Sequence, residues 1–378
     1  MRFLPFHRPG IDEADLKAVV DCLRSGWLTT GPRTAAFERA FARFVGGRHA
    51  VGVNSCTAAL HLSLLALGVG PGDEVVTTPI TFVSTVNVIH HVGATPVFAD
   101  VEPDRLTIDP AEVLRRITRR TRAVIPVHFA GHPCDMEAIA RLARPRGIAV
   151  VGDAAHAVEA RQRGRPVGAL GDAVCYSFYA NKNMTTGEGG MAVTADGWLA
   201  SRIRTLSLHG MDRNAWRRYG PRARGHWDLV AAGFKYNMGD IQAALGLSQL
   251  KKVQEWHRRR ETLTRIYDQA LSEMPAVRPL KDAPGTAPAR HLYVVLIERR
   301  PGRDTVMERM RARGIGVGVH FRAVHLTSFY RRSYGFKRGM FPRAEDASDR
   351  VLSLPLYPSM DRIDVERVVA ALRASLRA

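Results

Sequence analysis

An α/β fold is what the sequence predicts: a large domain built on a mostly parallel sheet of seven strands, followed by a smaller C-terminal α+β domain. Three observations predict it. Between residues 49 and 194 short β-rich runs alternate with helical stretches, the pattern of strands joined by crossover helices. After residue 240 the texture changes to a long amphipathic helical stretch, two strand-like runs and a closing helix. A chain of 378 residues with 46% hydrophobic and 24% charged residues is soluble and globular in composition, and long for one ordinary domain.

The seven strand-like runs are HAVGV (49–53), EVVTT (74–78), TPVFAD (95–100), AVIPVH (123–128), IAVVGD (148–153), AVCYSF (173–178) and GMAVT (190–194). Helical patterns lie between several of them, including TAALHLSLLAL from 57, FVSTVNVIHHV from 82 and DMEAIARLARPRG from 135. Beyond them, IQAALGLSQLKKVQEWHRRRETLTRIYDQAL predicts one helix continuing to about 271. HLYVVLIE and GIGVGVHF then predict strands, and IDVERVVAALRASL a final helix. The expected division is residues 1–250 as the large domain and 251–378 as the small one, with the N-terminal segment free to pack on the latter.

Composition excludes several function classes. No run approaches eighteen apolar residues and MRFLPFHRPG lacks a signal-peptide core, so a cytoplasmic protein without a membrane span is expected. Cys22, Cys56, Cys134 and Cys175 show neither CxxC spacing nor a companion histidine cluster, which predicts reduced thiols and no metal site. The formal charge of +19 invites a nucleic-acid reading. Yet the arginines are dispersed, in RRITRRTR (115–122), HRRRE (257–261) and ERRPGRDTVMERMRARG (298–314), within helix-like patterns mixed with acids. Solvated helix faces and a field that favours anionic small ligands are the expectation, with no nucleic acid as partner.

In open α/β sheets ligands gather beyond the carboxyl ends of the strands. Asp153 ends IAVVGD there, and Lys182 follows the next strand-like run. Each has an ordinary reading, as a turn-capping acid and a surface cation. Ser177 lies five residues before Lys182, and Ser55 and Thr57 stand at a strand–helix junction whose free N–H groups favour a dianion. Together the parts describe a site for pyridoxal 5'-phosphate (PLP): an amine for its aldehyde, an acid to keep its pyridine nitrogen protonated, and a cradle for its phosphate. Phe82 is placed to stack on the ring. Closely spaced Gly187, Gly189 and Gly190 suit a tight reversal into the next strand.

DAAHA (153–157), SFYANKNMTTGEGGMAVT (177–194) and GFKYNMGDIQAALGLSQL (233–250) resemble the DegT/DnrJ/EryC1/StrS sugar aminotransferases, which have the fold-type I PLP-dependent transferase fold. The likeness extends from SGWLTTGP (25–32) through GDEVVTTPITFVSTVNVIHHVGATPVFADVEP to VLSLPLYPSM (351–360). His156, GFKYN and GIGVGVHFRAVH look most like the UDP-4-amino-4-deoxy-L-arabinose–oxoglutarate aminotransferase group. The resemblance implies transfer of an amino group from glutamate, giving 2-oxoglutarate, to a UDP- or dTDP-linked 4-keto sugar, with pyridoxamine 5'-phosphate (PMP) as the intermediate form of the cofactor. It also implies a homodimer with shared active sites. The alternatives are another keto sugar, such as a 4-keto-6-deoxyhexose or a 3-keto hexose, and a non-enzymatic PLP-binding relative.

Residue by residue, Lys182 matches the Schiff-base lysine, Asp153 the pyridinium partner and His156 the residue beside the cofactor's phenolic oxygen. Phe82 matches the stacking aromatic, and Ser177 and Thr57 match phosphate ligands. Cys56 stands beside Thr57 where relatives carry Gly. Lys235 aligns with an Asn that reaches the phosphate from the neighbouring subunit, and Asn237 lies two places on. Trp27, Thr29, Thr30, Phe321 and His325 are the expected sugar contacts, Phe321 standing where many relatives have Tyr. Lys182 stands where related sugar dehydratases carry His.

Overall fold

In the computed structural model, which describes residues 3–211, 228–298 and 300–377, the seven predicted strands form one sheet. They are β1 (His49–Val53), β2 (Glu74–Thr77), β3 (Thr95–Phe98), β4 (Thr121–Ile125), β5 (Ala149–Asp153), β6 (Ala173–Ser177) and β7 (Gly190–Thr194). The order across the sheet is β1-β7-β6-β5-β4-β2-β3, and every pairing is parallel except the two made by β7. Both faces are covered, so the strands are buried on successive residues. Val51, Val151, Cys175 and Ala192 enter one core while Ala50, Val174, Tyr176 and Val193 enter another.

Two N-terminal helices precede the sheet, α1 (Glu13–Arg24) and α2 (Pro32–Phe44). Helix α3 (Cys56–Ala66) is buried on nearly all sides, and its cap, Ser55, accepts a hydrogen bond from the Ala58 N–H. Helix α4 (Val83–His91) starts immediately after Phe82. The long helix expected after residue 240 is two helices, α5 (Asp240–Leu250) and α6 (Val253–Leu271). At the break the Lys251 and Lys252 N–H groups bond three residues back, to Ser248 and Gln249, instead of four. Lys252 there reaches Asp12 and Asp15, which ties the break to α1.

A second sheet, β8 (Val277–Pro279), β9 (Tyr293–Ile297) and β10 (Val351–Leu354), is antiparallel throughout. Strand β10 was not expected. Tyr293, Val295 and Ile297 face a core shared with Leu4, Leu263 and the last helix, α7 (Arg362–Arg377). Val294 and Leu296 face Ile80, Phe98 and Phe129 of the larger sheet's loops and edge, so β9 joins the two bodies. GIGVGVHF is no strand: it makes single bridges, Ile315 with Leu4 and Gly318 with Ser353. Its glycines explain this. Gly314 has φ +75°, and a Cβ on Gly316 would lie 2.6 Å from the Phe6 nitrogen, so the segment is built for close backbone approach instead of a ladder.

Arg260 is a second departure. It was expected on a solvated face, yet its side chain is 2% exposed and pairs with Glu159, itself 4% exposed. Stranding one member of such a buried pair typically costs about 3–5 kcal/mol. Arg258 and Arg259 of the same run do face solvent. The four cysteines are free thiols, all buried. Among the described residues no group of three His, Cys, Asp or Glu could hold a metal, and no helix is long and apolar enough to cross a membrane.

Candidate active site

The carboxyl ends of β1, β5 and β6 open into a cavity of about 500 Å³, whose wall includes Cys56, Thr57, Phe82, Asp153, His156, Ser177, Lys182 and Phe321. Eight of the predicted site residues are thus brought together from five separate stretches of chain. Ser55, Cys56 and Thr57 are there because α3 begins where β1 ends. Close packing holds that helix start in place: a Cβ on Gly190, the first residue of β7, would lie 2.3 Å from the Ser55 carbonyl carbon. Gly187, at φ +78°, makes the reversal before it.

Asp153 is 5% exposed at the end of β5. Oδ2 accepts a hydrogen bond from the Thr85 hydroxyl at 2.7 Å and Oδ1 one from the Ala155 N–H at 3.1 Å. Burial pushes its pKa up, and these two donors together with nearby Lys182 oppose that rise. Lys182 is half-buried, in the turn after β6. Loss of solvent around the amine lowers its pKa from 10.5 to about 8, against the pull of Cys56 and Asp153. The amine is therefore free base in an appreciable fraction at neutral pH, as a nucleophilic lysine needs.

His156 is buried and its pKa is pushed well below 6.5 by desolvation first, then by Lys182 and His320. Its Nδ1 is a buried nitrogen with no hydrogen-bond partner, in a residue that lines the cavity. Its ring stacks on Phe321 at 5.9 Å between centroids. Phe82 is 59% exposed, its ring 6.1 Å from that of Phe321. An apolar ring left open over a cavity suits a flat ligand.

The remaining predicted residues lie elsewhere. His325 does not reach the cavity: it is fully buried, its Nε2 lies 3.1 Å from Glu345 Oε1, and its ring packs against Phe98 and Phe341. The expected sugar contact is therefore corrected to a core histidine. Trp27, Thr29 and Thr30 are also outside this cavity, in the turn before α2, where Trp27 Nε1 donates to the Thr30 carbonyl. Lys235 and Asn237 join that turn: Thr30 Oγ1 accepts from Asn237 Nδ2 at 2.8 Å, and Lys235 Nζ donates to Asn237 Oδ1 at 2.7 Å.

Sequence reading missed Thr85, His128, Tyr179, His291 and His320. All but Thr85 line the cavity, and Thr85 positions Asp153. Only Thr85 left a trace in the sequence, in the first turn of α4 and four residues after Thr81, which precedes that helix, and the two hydroxyls are 2.7 Å apart.

The geometry suits PLP in three ways: a depressed amine, a buried acid and a helix N-terminus, around a wall that includes His128 and His156, each with one orphaned ring nitrogen. The family model for DegT/DnrJ/EryC1/StrS aminotransferases matches residues 9–373. The chain belongs to the DegT/DnrJ/EryC1/StrS aminotransferase family. SpsC of Bacillus subtilis, a spore coat polysaccharide biosynthesis protein, is 47% identical over 98% of this chain and 96% of its own. Spr1654 of Streptococcus pneumoniae, assigned as a sugar aminotransferase and solved in its PLP form, superimposes with a TM-score of 0.92 at 32% identity, covering 99% of this chain and 98% of its own. PseC of Helicobacter pylori, an aminotransferase involved in the biosynthesis of pseudoaminic acid, gives 0.92 at 30% identity over 100% and 99%. Spr1654 is also solved in a PMP form. This member of the DegT/DnrJ/EryC1/StrS family is a PLP-dependent sugar aminotransferase that works through the PLP and PMP forms.

Proposed function

We propose that the enzyme moves an amino group from glutamate to a nucleotide-linked 4-keto sugar, with a UDP-linked 4-keto pentose as the acceptor. The carrying observation is the Lys182 amine, held near pKa 8 in the cavity that Asp153 and the start of α3 share. When bound, PLP supplies an aldehyde to carry the amino group and a ring to spread the electrons released at the substrate carbon.

The chain supplies the rest. Lys182, once free of the cofactor, takes a proton from one carbon and returns it to another, which a pKa near the working pH favours. Asp153, aligned by Thr85 and Ala155, would hold the proton on the pyridine nitrogen. The first N–H groups of α3, with the Thr57 and Ser177 hydroxyls, suit the phosphate. His156 offers its imidazole to the phenolic oxygen and Phe82 its open face to the ring. Cys56, with its thiol pushed well above 9 by burial and by Asp153, stays neutral and packs without reacting.

Both substrates are anionic, which agrees with the formal charge of +19, and both are cytoplasmic metabolites, so we place the enzyme there. A second reading has its own support: SpsC serves spore coat polysaccharide and PseC pseudoaminic acid biosynthesis, which favours a keto sugar destined for a surface glycan over a pentose. Glutamate with a panel of UDP- and dTDP-linked keto sugars tests both, the product being identified by mass and NMR. Amination of the UDP-4-keto pentose alone is the expected result. Turnover of hexoses only would select the second reading, and turnover of none would end the first.

A homodimer with shared sites accounts for the residues left outside the cavity. Leu16, Val20 and Leu23 form one exposed apolar stripe on α1, at 51%, 39% and 50% exposure. Asn237 spends its amide on Thr30 and its carbonyl on Lys235, which favours the Lys235 ammonium as the group that reaches the other subunit's phosphate site. Trp27, Thr29 and Thr30 would line that same site. Chains carrying Lys182→Ala mixed with chains carrying Lys235→Met should regain turnover at limiting PLP that neither homodimer shows. No gain in the mixture would leave each site complete within one chain.

A further inference from the structure

Asn183, the neighbour of Lys182, is buried and makes three hydrogen bonds that fix which way its amide points. Its Nδ2 donates to Glu159 Oε2 at 2.8 Å and to the Ala289 carbonyl at 2.9 Å. A carbonyl never donates, and Glu159 is held as an acceptor by the buried guanidinium of Arg260. The amide oxygen must therefore face the remaining partner, His291 Nδ1, at 2.9 Å. Because that oxygen can only accept, the proton of His291 sits on Nδ1.

The consequence falls on the other nitrogen. Burial, then His156, Lys182, His7 and His320 in that order, keep the His291 imidazole neutral. A neutral ring with its proton on Nδ1 leaves Nε2 as a bare acceptor. The ring is 6% exposed, forms part of the cavity wall, and packs 4.4 Å from the His156 ring. Among the described residues no protein donor bonds to Nε2.

We propose that His291 is a specificity-determining residue of the amino transfer, its Nε2 accepting a hydrogen bond from a donor group of the substrate. That group is either a hydroxyl of the keto sugar or the ammonium of the amino donor. Other acceptors line the same cavity, Asp153, Glu188 and Asn181 among them, but Asp153 already accepts from Thr85 and Ala155, whereas Nε2 of His291 is a neutral acceptor with no donor among the described residues and no proton of its own to offer. A chain of Arg260, Glu159, Asn183 and His291 is also an expensive way to fill a core, since apolar residues of similar size would cost nothing in desolvation. It makes sense as a device that holds one tautomer. The inference rests on the sugar aminotransferase reading for the identity of the ligand, but not for the tautomer.

Two measurements separate these parts. Neutron diffraction of the deuterium-exchanged wild-type holoenzyme should place deuterium on Nδ1 of His291 and none on Nε2. Deuterium on Nε2 overturns the proposal whatever the substrate. The second measurement follows each half-reaction, with glutamate and with UDP-linked 4-keto sugar, in His291→Asn and His291→Gln. Asn keeps a donor for Asn183 but cannot reach the Nε2 position, whereas Gln places a carbonyl near it. His291→Asn should raise the KM of one substrate about three- to tenfold, the loss of one hydrogen bond, and His291→Gln should recover part of it. A raised KM for the sugar identifies the hydroxyl, and one for glutamate the ammonium. Equal loss of kcat in both half-reactions with KM unchanged, or no effect in either, overturns the proposal.

Discussion

Replacement of Lys182 by alanine should abolish amino transfer, by roughly 10⁴-fold or more, and leave the fold intact. The stability half of the prediction follows from the sign of the pKa shift. The amine has a pKa of about 8 in the folded chain against 10.5 for an unperturbed lysine. Its charging is therefore harder in the fold, and the penalty grows as pH falls from 10.5 to about 8 and is full below that. Alanine removes the penalty along with the amine, so the thermal midpoint of the cofactor-free chain at pH 7 should not fall. Substantial residual transfer from glutamate in the PLP-loaded variant would mean that a different group moves the proton. In the cofactor-free wild type, labelling of Lys182 by an amine reagent should rise with pH, be half-maximal near pH 8 and level off above it; a midpoint near 10.5 would show that the amine is solvated.

The large sheet and the two residues at the centre of the site were legible because their signals are local. Strands β4 to β6 are apolar on successive residues, and Asp153 and Lys182 each follow such a run within a few positions. Residues that act through tertiary closure were not. Thr85 matters only because α4 packs beside the end of β5, and His291 only because β9 is led past Asn183. GIGVGVHF has the residues of a strand, but its glycines are spaced for close approach by Leu4, Pro5 and Phe6. His325 was misplaced because nothing in its neighbourhood signals Glu345, twenty residues later.

Arg260 is the instructive case, since the information was present. Val253, Arg260, Thr264, Tyr267 and Leu271 recur at intervals of seven, four, three and four, the buried stripe of α6. Taken as part of a run of three arginines, Arg260 looks like surface. Taken by helical period, it sits on the face that enters the core, where a charge demands a partner. That partner, Glu159, lies in the stretch just after DAAHA, so the ion pair ties α6 to the loop that carries His156.

Asp153→Asn should slow turnover by about 3–4 kcal/mol of barrier, some two to three orders of magnitude, without loss of fold. The asparagine can keep its place: its carbonyl can still accept from Thr85, the bond that sets the side chain's orientation at 2.7 Å. What it cannot do is carry a negative charge next to a protonated ring nitrogen, and in a buried site no solvent replaces that charge. The stability effect runs the other way. Burial raises the Asp153 pKa, so in the cofactor-free chain its carboxyl favours folding at acid pH and loses that contribution as pH rises through the folded value. A neutral amide escapes this loss, and at pH 7 the cofactor-free variant should melt no lower than the wild type. The cofactor-loaded variant should lose more of its stabilisation by PLP than the wild type does, because the acid's partner then lacks its charge. The two proteins therefore separate in opposite senses with and without PLP, a crossing that mere structural damage at position 153 would not produce. A near-normal rate in the variant would assign the ring's proton to some other group.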